Sequence, residues 1–221
     1  ATSLLAGLTA CFQSDLKKVL AFSTVSQLGL MFAAFGAGSS NAAVFHVVTH
    51  AFFKACLFLS AGSVIFACHH EQSMEKLGGL LKKIPVTAIS YFLATISMCG
   101  FPYLAGFYSK GAILGTLAAR GDYFLYWGLA IAAVTSWYMA RSFVLTFLGS
   151  YRGHHEVHGG GIFMNIPLLI LAGLSLCAGF YLTGFFSDAD FGRLPRMLEP
   201  KHLSLVLEIV PAVGAFCLSF I

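Results

Sequence analysis

Seven apolar stretches follow one another along this chain, near residues 1 to 13, 18 to 38, 41 to 67, 84 to 119, 122 to 149, 166 to 186 and 203 to 221. A bilayer's hydrocarbon core is about 30 Å thick and takes about 20 helical residues to cross. All but the first, incomplete one approach that length. In lipid every backbone N–H and C=O must be satisfied within the protein, which leaves helices or closed barrels. No segment alternates apolar and polar residues as a barrel strand does. The stretches therefore read as helices, and the fold class as an all-α polytopic membrane protein. Of the 221 residues 58% are hydrophobic and 10% charged, whereas soluble domains carry about a quarter charged residues. A soluble enzyme or a nucleic-acid partner is excluded on that ground. The 22 Phe and 23 Gly suit lipid-facing surfaces and close helix packing.

The stretch from 84 to 119 is too long for one simple span and contains MCGFPYLAGFYSKG. Pro102 has no N–H to donate, and Gly100 and Gly106 tolerate unusual dihedrals. The helix is expected to stop near Cys99 and restart near Tyr108, with Lys110 just past the break. Interrupted backbone at membrane depth is tolerated where it is buried in protein or faces a wet cavity.

Within 41 to 67 lies FHVVTHAFFKAC, which places His46, His50 and Lys54 four residues apart. Four residues turn a helix by about 400° and raise it about 6 Å, so the three form one slightly drifting stripe. An ionisable group inside a bilayer costs several kcal/mol, faces the bundle interior and marks an ion or proton route. Histidine exchanges protons near neutral pH through two distinct ring nitrogens, and a buried lysine can do so as well. His46, His50 and Lys54, with Lys110 at the break, read as a proton relay. A single intramembrane histidine is commonly a packing residue; three ionisable groups in register without a carboxylate on the same helix argue against that. A metal site is the weaker option, because a protonated lysine is a poor ligand and no Asp or Glu is near in sequence.

Other polar residues leave two readings open. Ser23, Thr24, Ser26 and Gln27 in FSTVSQLG make a polar stripe that suits either a water-lined passage or interhelical hydrogen bonds. Arg141 suits either a snorkelling cation or a structural ion pair. His154, His155 and His158 read as part of a hydrated Gly-rich loop, and the six scattered cysteines as small buried core residues. No P-loop, dinucleotide fingerprint, iron–sulfur cysteine cluster or haem-attachment motif is present. No cofactor is expected in this chain, and any energy source belongs to a partner.

Lys17, Lys18, Lys76, Lys82, Lys83 and Arg152 fall in one alternate set of connections, and Arg120, Arg193, Arg196 and Lys201 in the other. The first set is expected on the cytoplasmic or matrix side. The chain opens ATSLLAGL and closes on PAVGAFCLSFI inside apolar runs, so we expect a piece of a longer polypeptide or a truncated form of one.

The runs SDLKKVLAFSTVSQLGLMF, FHVVTHAFFKACLFLSAGSVI, HHEQSMEKLGGLLKKIP and GFYSKGAIL resemble, in order and spacing, the second half of the antiporter-like subunit 5 of proton-pumping NADH:quinone oxidoreductase, respiratory complex I. The resemblance covers about residues 1 to 150 well. Subunits of multisubunit Na⁺/H⁺ antiporters carry looser versions. The resemblance implies an antiporter-like helix bundle, the second of two inverted repeats, with one discontinuous transmembrane helix. Residues 1–149 would be that repeat in part, and 150–221 additional C-terminal transmembrane helices. It implies a central relay at His46, His50 and Lys54 and a terminal lysine at Lys110, where Gly111 replaces the family's usual acidic neighbour. It further implies other membrane-arm subunits as partners, with NADH, flavin, iron–sulfur clusters and quinone held by them. The expected location is multi-pass in a membrane, the bacterial inner membrane ahead of the mitochondrial one. The alternatives are the large subunit of a Na⁺/H⁺ antiporter and a truncated, non-pumping paralogue.

Overall fold

The computed structural model describes residues 1–153, 156–157 and 161–188. Those residues form seven α-helices and no strand: α1 Thr2–Phe12, α2 Leu16–Gly36, α3 Ser40–Ala67, α4 Pro85–Cys99, α5 Ala105–Arg120, α6 Asp122–Phe147 and α7 Ile162–Asp188. The 28 residues of α3 run without interruption, about 42 Å at the standard helical rise. The span expected from 203 to 221, the histidines His154, His155 and His158, and Arg193, Arg196, Lys201 and Cys217 lie outside the described residues.

Local chemistry sets the helix starts. Asp15 accepts the backbone N–H of Lys18 at 3.1 Å at the head of α2, and Ser39 accepts that of Ala42 at 3.3 Å at the head of α3. Both satisfy a donor that has no partner inside the helix. Pro85 opens α4, a position where its missing N–H costs nothing.

The expected break is present: α4 ends at Cys99 as expected, and the helix restarts at Ala105, ahead of the expected Tyr108, because the turn at Pro102 and Tyr103 already returns the chain to helical geometry. Gly100 takes a left-handed conformation, φ 85°, its N–H bonds Ser97 O at 3.0 Å and the Phe101 N–H bonds Ile96 O at 3.1 Å. This paired closure is the Schellman motif. Pro102 and Tyr103, the latter at φ 68°, then form a turn closed by Leu104 N–H to Phe101 O at 3.2 Å. The turn places α5 directly on the end of α4. A Cβ at Gly106 would overlap the Ser97 carbonyl oxygen, and one at Gly179 of α7 would overlap Ala105. Together α4 and α5 make one traverse of the bundle.

The bundle has two chemically different ends. At one, the Leu16 N–H bonds Gln72 O at 3.0 Å and Met74 N–H bonds Ser14 O at 2.8 Å, while Gly78, Gly79 and Leu81 donate to Thr146, Leu148 and Phe147. The Arg152 guanidinium bonds the carbonyls of Leu77, Met74 and Leu145. Lys17, Lys18, Lys76, Lys82 and Lys83 flank these loops, so the first basic set does share one end. At the other end Arg120 Nε bonds Ala37 O at 2.8 Å, tying the α5–α6 corner to the α2–α3 corner.

The core joins Leu20, Phe53, Leu57, Tyr91, Met98, Tyr138 and Phe147 from four helices, α2, α3, α4 and α6. Phe32, Phe35, Phe66, Phe163, Phe180 and Tyr181 point outward. Such an apolar exterior is what lipid requires, and α2, α3, α6 and α7 are each long and apolar enough to span. Cys177, read from sequence as buried, faces outward; Cys56, Cys68 and Cys99 are buried as expected.

Candidate functional site

His46, His50 and Lys54 all face inward from α3, with relative exposures of 0, 7 and 5%, and Lys110 of α5 is 4% exposed. Inward placement follows from the cost of leaving such groups in hydrocarbon. Helix α3 packs against α2, α4, α5 and α7, with His46 meeting the broken helix at α5 and Lys54 meeting α2.

His46 is held at both ring nitrogens. Its Nδ1 lies 2.9 Å from Ser109 Oγ of α5, and its Nε2 lies 3.2 Å from Gln27 Oε1 of α2. Ser109 directly precedes Lys110, and Thr49 Oγ1 donates to the same serine at 2.8 Å. The Gln27 side-chain amide donates to Thr135 Oγ1 of α6 at 3.1 Å. His46 thereby ties together three neighbouring helices.

His50 stands one turn further along, its ring centroid 5.9 Å from that of His46 and 5.3 Å from that of Phe53, edge-on to the latter. Its Nε2 is buried and makes no hydrogen bond among the described residues. The histidines therefore share a helix face without bonding to each other.

Lys54 turns toward α2. Its Nζ donates to Leu20 O at 3.1 Å and to Ser23 Oγ at 2.8 Å, and lies 5.9 Å from the centre of the Phe58 ring. Ser23 Oγ in turn lies 2.8 Å from the hydroxyl of Tyr138. No acidic side chain supports the ammonium among the described residues; backbone and hydroxyl oxygens do. Lys110 lies against the helix break, its Cδ 3.7 Å from where a Cβ on Gly100 would be.

The four candidates thus occupy one buried zone, divided into a part that joins His46 to α5 and a part that joins Lys54 to α2 and α6. The FSTVSQLG stripe makes interhelical bonds through Ser23, Ser26 and Gln27, with Ser26 Oγ donating to Ser3 O at 2.8 Å. Thr24 is off that face, half-buried and bonded to Leu20 O within its own helix. Arg141 Nη1 donates to Gln13 O at 2.8 Å, which holds α6 to the end of α1.

Several contributors were not singled out from sequence. Ser109 and Thr49 had a positional signal, one beside Lys110 and the other within the histidine stripe. Tyr138 and Thr135 had none, because a buried Tyr or Thr in an apolar helix reads as packing.

Residues 1–136 match the family described as NADH:quinone oxidoreductase/Mrp antiporter, TM. The chain is 43% identical over 218 residues to NADH-quinone oxidoreductase subunit L of Escherichia coli, covering 97% of this chain and 35% of that protein. It is 46% identical over 185 residues to subunit L of Pseudomonas aeruginosa, covering 82% of this chain and 30% of that protein. It is 38% identical over 239 residues to NADH-ubiquinone oxidoreductase chain 5 of Rhizopus stolonifer, covering 99% and 36% respectively. The chain spans about a third of the length of the curated relatives it matches. Among solved structures, that of the Mrp complex from Dietzia sp. superposes with a TM-score of 0.77 at 28% identity, covering 98% of this chain and 26% of that one.

Proposed function

This chain belongs to the NADH:quinone oxidoreductase/Mrp antiporter transmembrane family, and from that premise we propose that it is part of a proton-translocating membrane subunit of an NADH:quinone oxidoreductase. The supporting observation is the burial of His46, His50 and Lys54 on the intact α3 and of Lys110 on α5 of the broken helix, with His46 bonded to α5 and Lys54 to α2. Four ionisable groups inside a bundle that crosses lipid are expensive to keep unless they carry protons.

In this reading Lys54 and Lys110 store protons and the histidines pass them between. Lys54 has acceptors but no acidic partner among the described residues, so its charge is balanced by dipoles that persist when the proton leaves. The break near Lys110 supplies backbone groups and tight packing instead of lipid, as an ion path at membrane depth requires. Residues 1–149 act as part of the second antiporter-like repeat, and α7 as a further transmembrane helix; the remainder of 150–221 expected to be transmembrane lies outside the described residues. The chain carries no redox centre of its own; NADH, flavin, iron–sulfur clusters and quinone reside on partner subunits of the membrane-bound complex. The higher identities to the two bacterial relatives named above support a bacterial inner membrane.

A Na⁺/H⁺ antiporter subunit is the second reading, favoured by the fold shared with the Mrp complex. The identities of 38 to 46% to oxidoreductase subunits weigh for the first. One assay separates them. In sealed vesicles containing the complex with the full-length parent of this chain, NADH oxidation is expected to build a pH gradient without added Na⁺, and Lys54→Ala to abolish most of it. His46→Ala and His50→Ala should reduce it less, since water can bridge a missing relay step. A gradient that forms at the parent rate with Lys54→Ala in an assembled complex would make the lysine structural and refute the relay.

A further inference from the structure

We propose that Gln27 and Thr135 are positioning residues that hold His46 as its Nε2–H tautomer, so that this histidine loads and releases protons through Nδ1 alone, toward Ser109 and the broken helix. The inference rests on the relay reading above and narrows the direction in which His46 works.

The hydrogen-bond network carries the argument. Thr135 Oγ1 donates its one hydrogen to Ile131 O at 2.7 Å. Its lone pairs are then left to accept, and the partner facing them at 3.1 Å is the Gln27 amide nitrogen. An amide whose nitrogen points at Thr135 has its oxygen on the other side, where it lies 3.2 Å from His46 Nε2. Oxygen can only accept, so Nε2 must bear the hydrogen. In neutral imidazole one nitrogen donates while the other accepts, so Nδ1 accepts; the Ser109 hydroxyl, itself accepting from Thr49 at 2.8 Å, gives its one hydrogen to Nδ1 at 2.9 Å in preference to Ala105 O at 3.2 Å. Every one of these side chains is fully buried, so solvent is no alternative partner, and the orientation of the Gln27 amide and of the His46 Nε2 hydrogen follows from one threonine.

The chemical consequence is asymmetry. An incoming proton is taken up at the Ser109 oxygen as its own hydroxyl proton passes to Nδ1, giving an imidazolium with both nitrogens protonated. The Nε2 proton then points at an amide oxygen, too weak a base to take it, so release runs back through Nδ1 and Ser109. His46 therefore exchanges with the Lys110 side of the site. Passage onward to His50, whose ring centroid is 5.9 Å away without a direct bond, needs the same nitrogen and an intervening hydroxyl or water.

The test uses the full-length parent in its assembled complex in lipid, labelled with ¹⁵N-histidine, with solid-state NMR distinguishing protonated from unprotonated ring nitrogens. The His46 signals are assigned by their loss in His46→Gln. The parent should show His46 with Nδ1 unprotonated and Nε2 protonated. Thr135→Val, which removes the acceptor while keeping the shape, should free the amide to rotate and add the Nδ1–H tautomer, with protons pumped per NADH falling several-fold. Thr135→Ser should restore both readouts. Should Thr135→Val fail to assemble, Gln27→Met supplies the same perturbation from the other partner. A parent dominated by Nδ1–H, or a tautomer unchanged by both Thr135→Val and Gln27→Met, overturns the proposal. Lys54→Ala separates this from the relay reading: a loss of pumping with the His46 tautomer intact supports the relay, whereas unaffected pumping refutes the relay and leaves the NMR result standing.

Discussion

Replacing Gly106 by alanine adds a single methyl at the point where the broken helix restarts. Its Cβ would overlap the Ser97 carbonyl oxygen. That oxygen cannot yield, because it already accepts the Gly100 N–H at 3.0 Å as part of the cap on α4. To reach an ordinary van der Waals separation the start of α5 must move by roughly 1.5 Å. Ser109 lies one turn further on, and its 2.9 Å contact with His46 would stretch past hydrogen-bond range. Overpacking costs about 1–3 kcal/mol and a buried group left without its partner another 1–3 kcal/mol. Alanine's better helix propensity returns about 0.5–1 kcal/mol. The net loss is on the order of 3 kcal/mol. The measurements are thermal retention of the intact complex in detergent, in full-length parent and variant, and protons pumped per NADH oxidised. Gly62→Ala is the control: its added Cβ meets nothing within 4 Å, and a compatible helical Gly→Ala change is expected to be neutral or stabilising by up to about 1 kcal/mol. If Gly106→Ala matched the parent in both stability and pumping, the close seating of α5 on α4 would be wrong, and with it the placement of Ser109 and Lys110.

Three further outcomes follow from the same geometry. Ser23→Ala removes one of the two oxygens that Lys54 Nζ bonds and should slow pumping and cost about 1–3 kcal/mol of stability, whereas Tyr138→Phe should give a smaller effect, read by the same gradient and thermal assays. Arg152→Ala should lower thermal stability by about 2 kcal/mol, since three carbonyls from two segments lose their shared donor, and Arg152→Lys should not restore it because an ammonium lacks the guanidinium fork. Backbone N–H groups of Ser73 and Gln72, with Lys76 beside them, hold the Glu71 carboxyl below its usual range. Its contribution is present above the unfolded-state value and lost as pH falls through the lower folded one, so the stability gap between parent and Glu71→Gln should narrow as pH drops below the ordinary glutamate range.

Much of the architecture was readable because lipid restricts the options so severely. Apolar length alone implies helices, and Gly100 with Pro102 marks the interruption, since one allows a left-handed cap and the other cannot continue a helical ladder. The four-residue spacing of His46, His50 and Lys54 places them on one face in any straight helix, and the expense of charge in hydrocarbon turns that face inward. What periodicity cannot supply is the neighbour across the interface. That Lys54 bonds Ser23 and Leu20 in place of a histidine, that Ser109 meets His46, and that Tyr138 and Thr135 meet Ser23 and Gln27 across more than a hundred positions of sequence depend on how α2, α5 and α6 pack around α3. A hydroxyl in an apolar helix carries the same sequence signature whether it bonds its own backbone, as Thr24 does, or orients a buried amide, as Thr135 does. Only the tertiary contact distinguishes them, because the donor and acceptor roles belong to the pair of helices and to neither one alone.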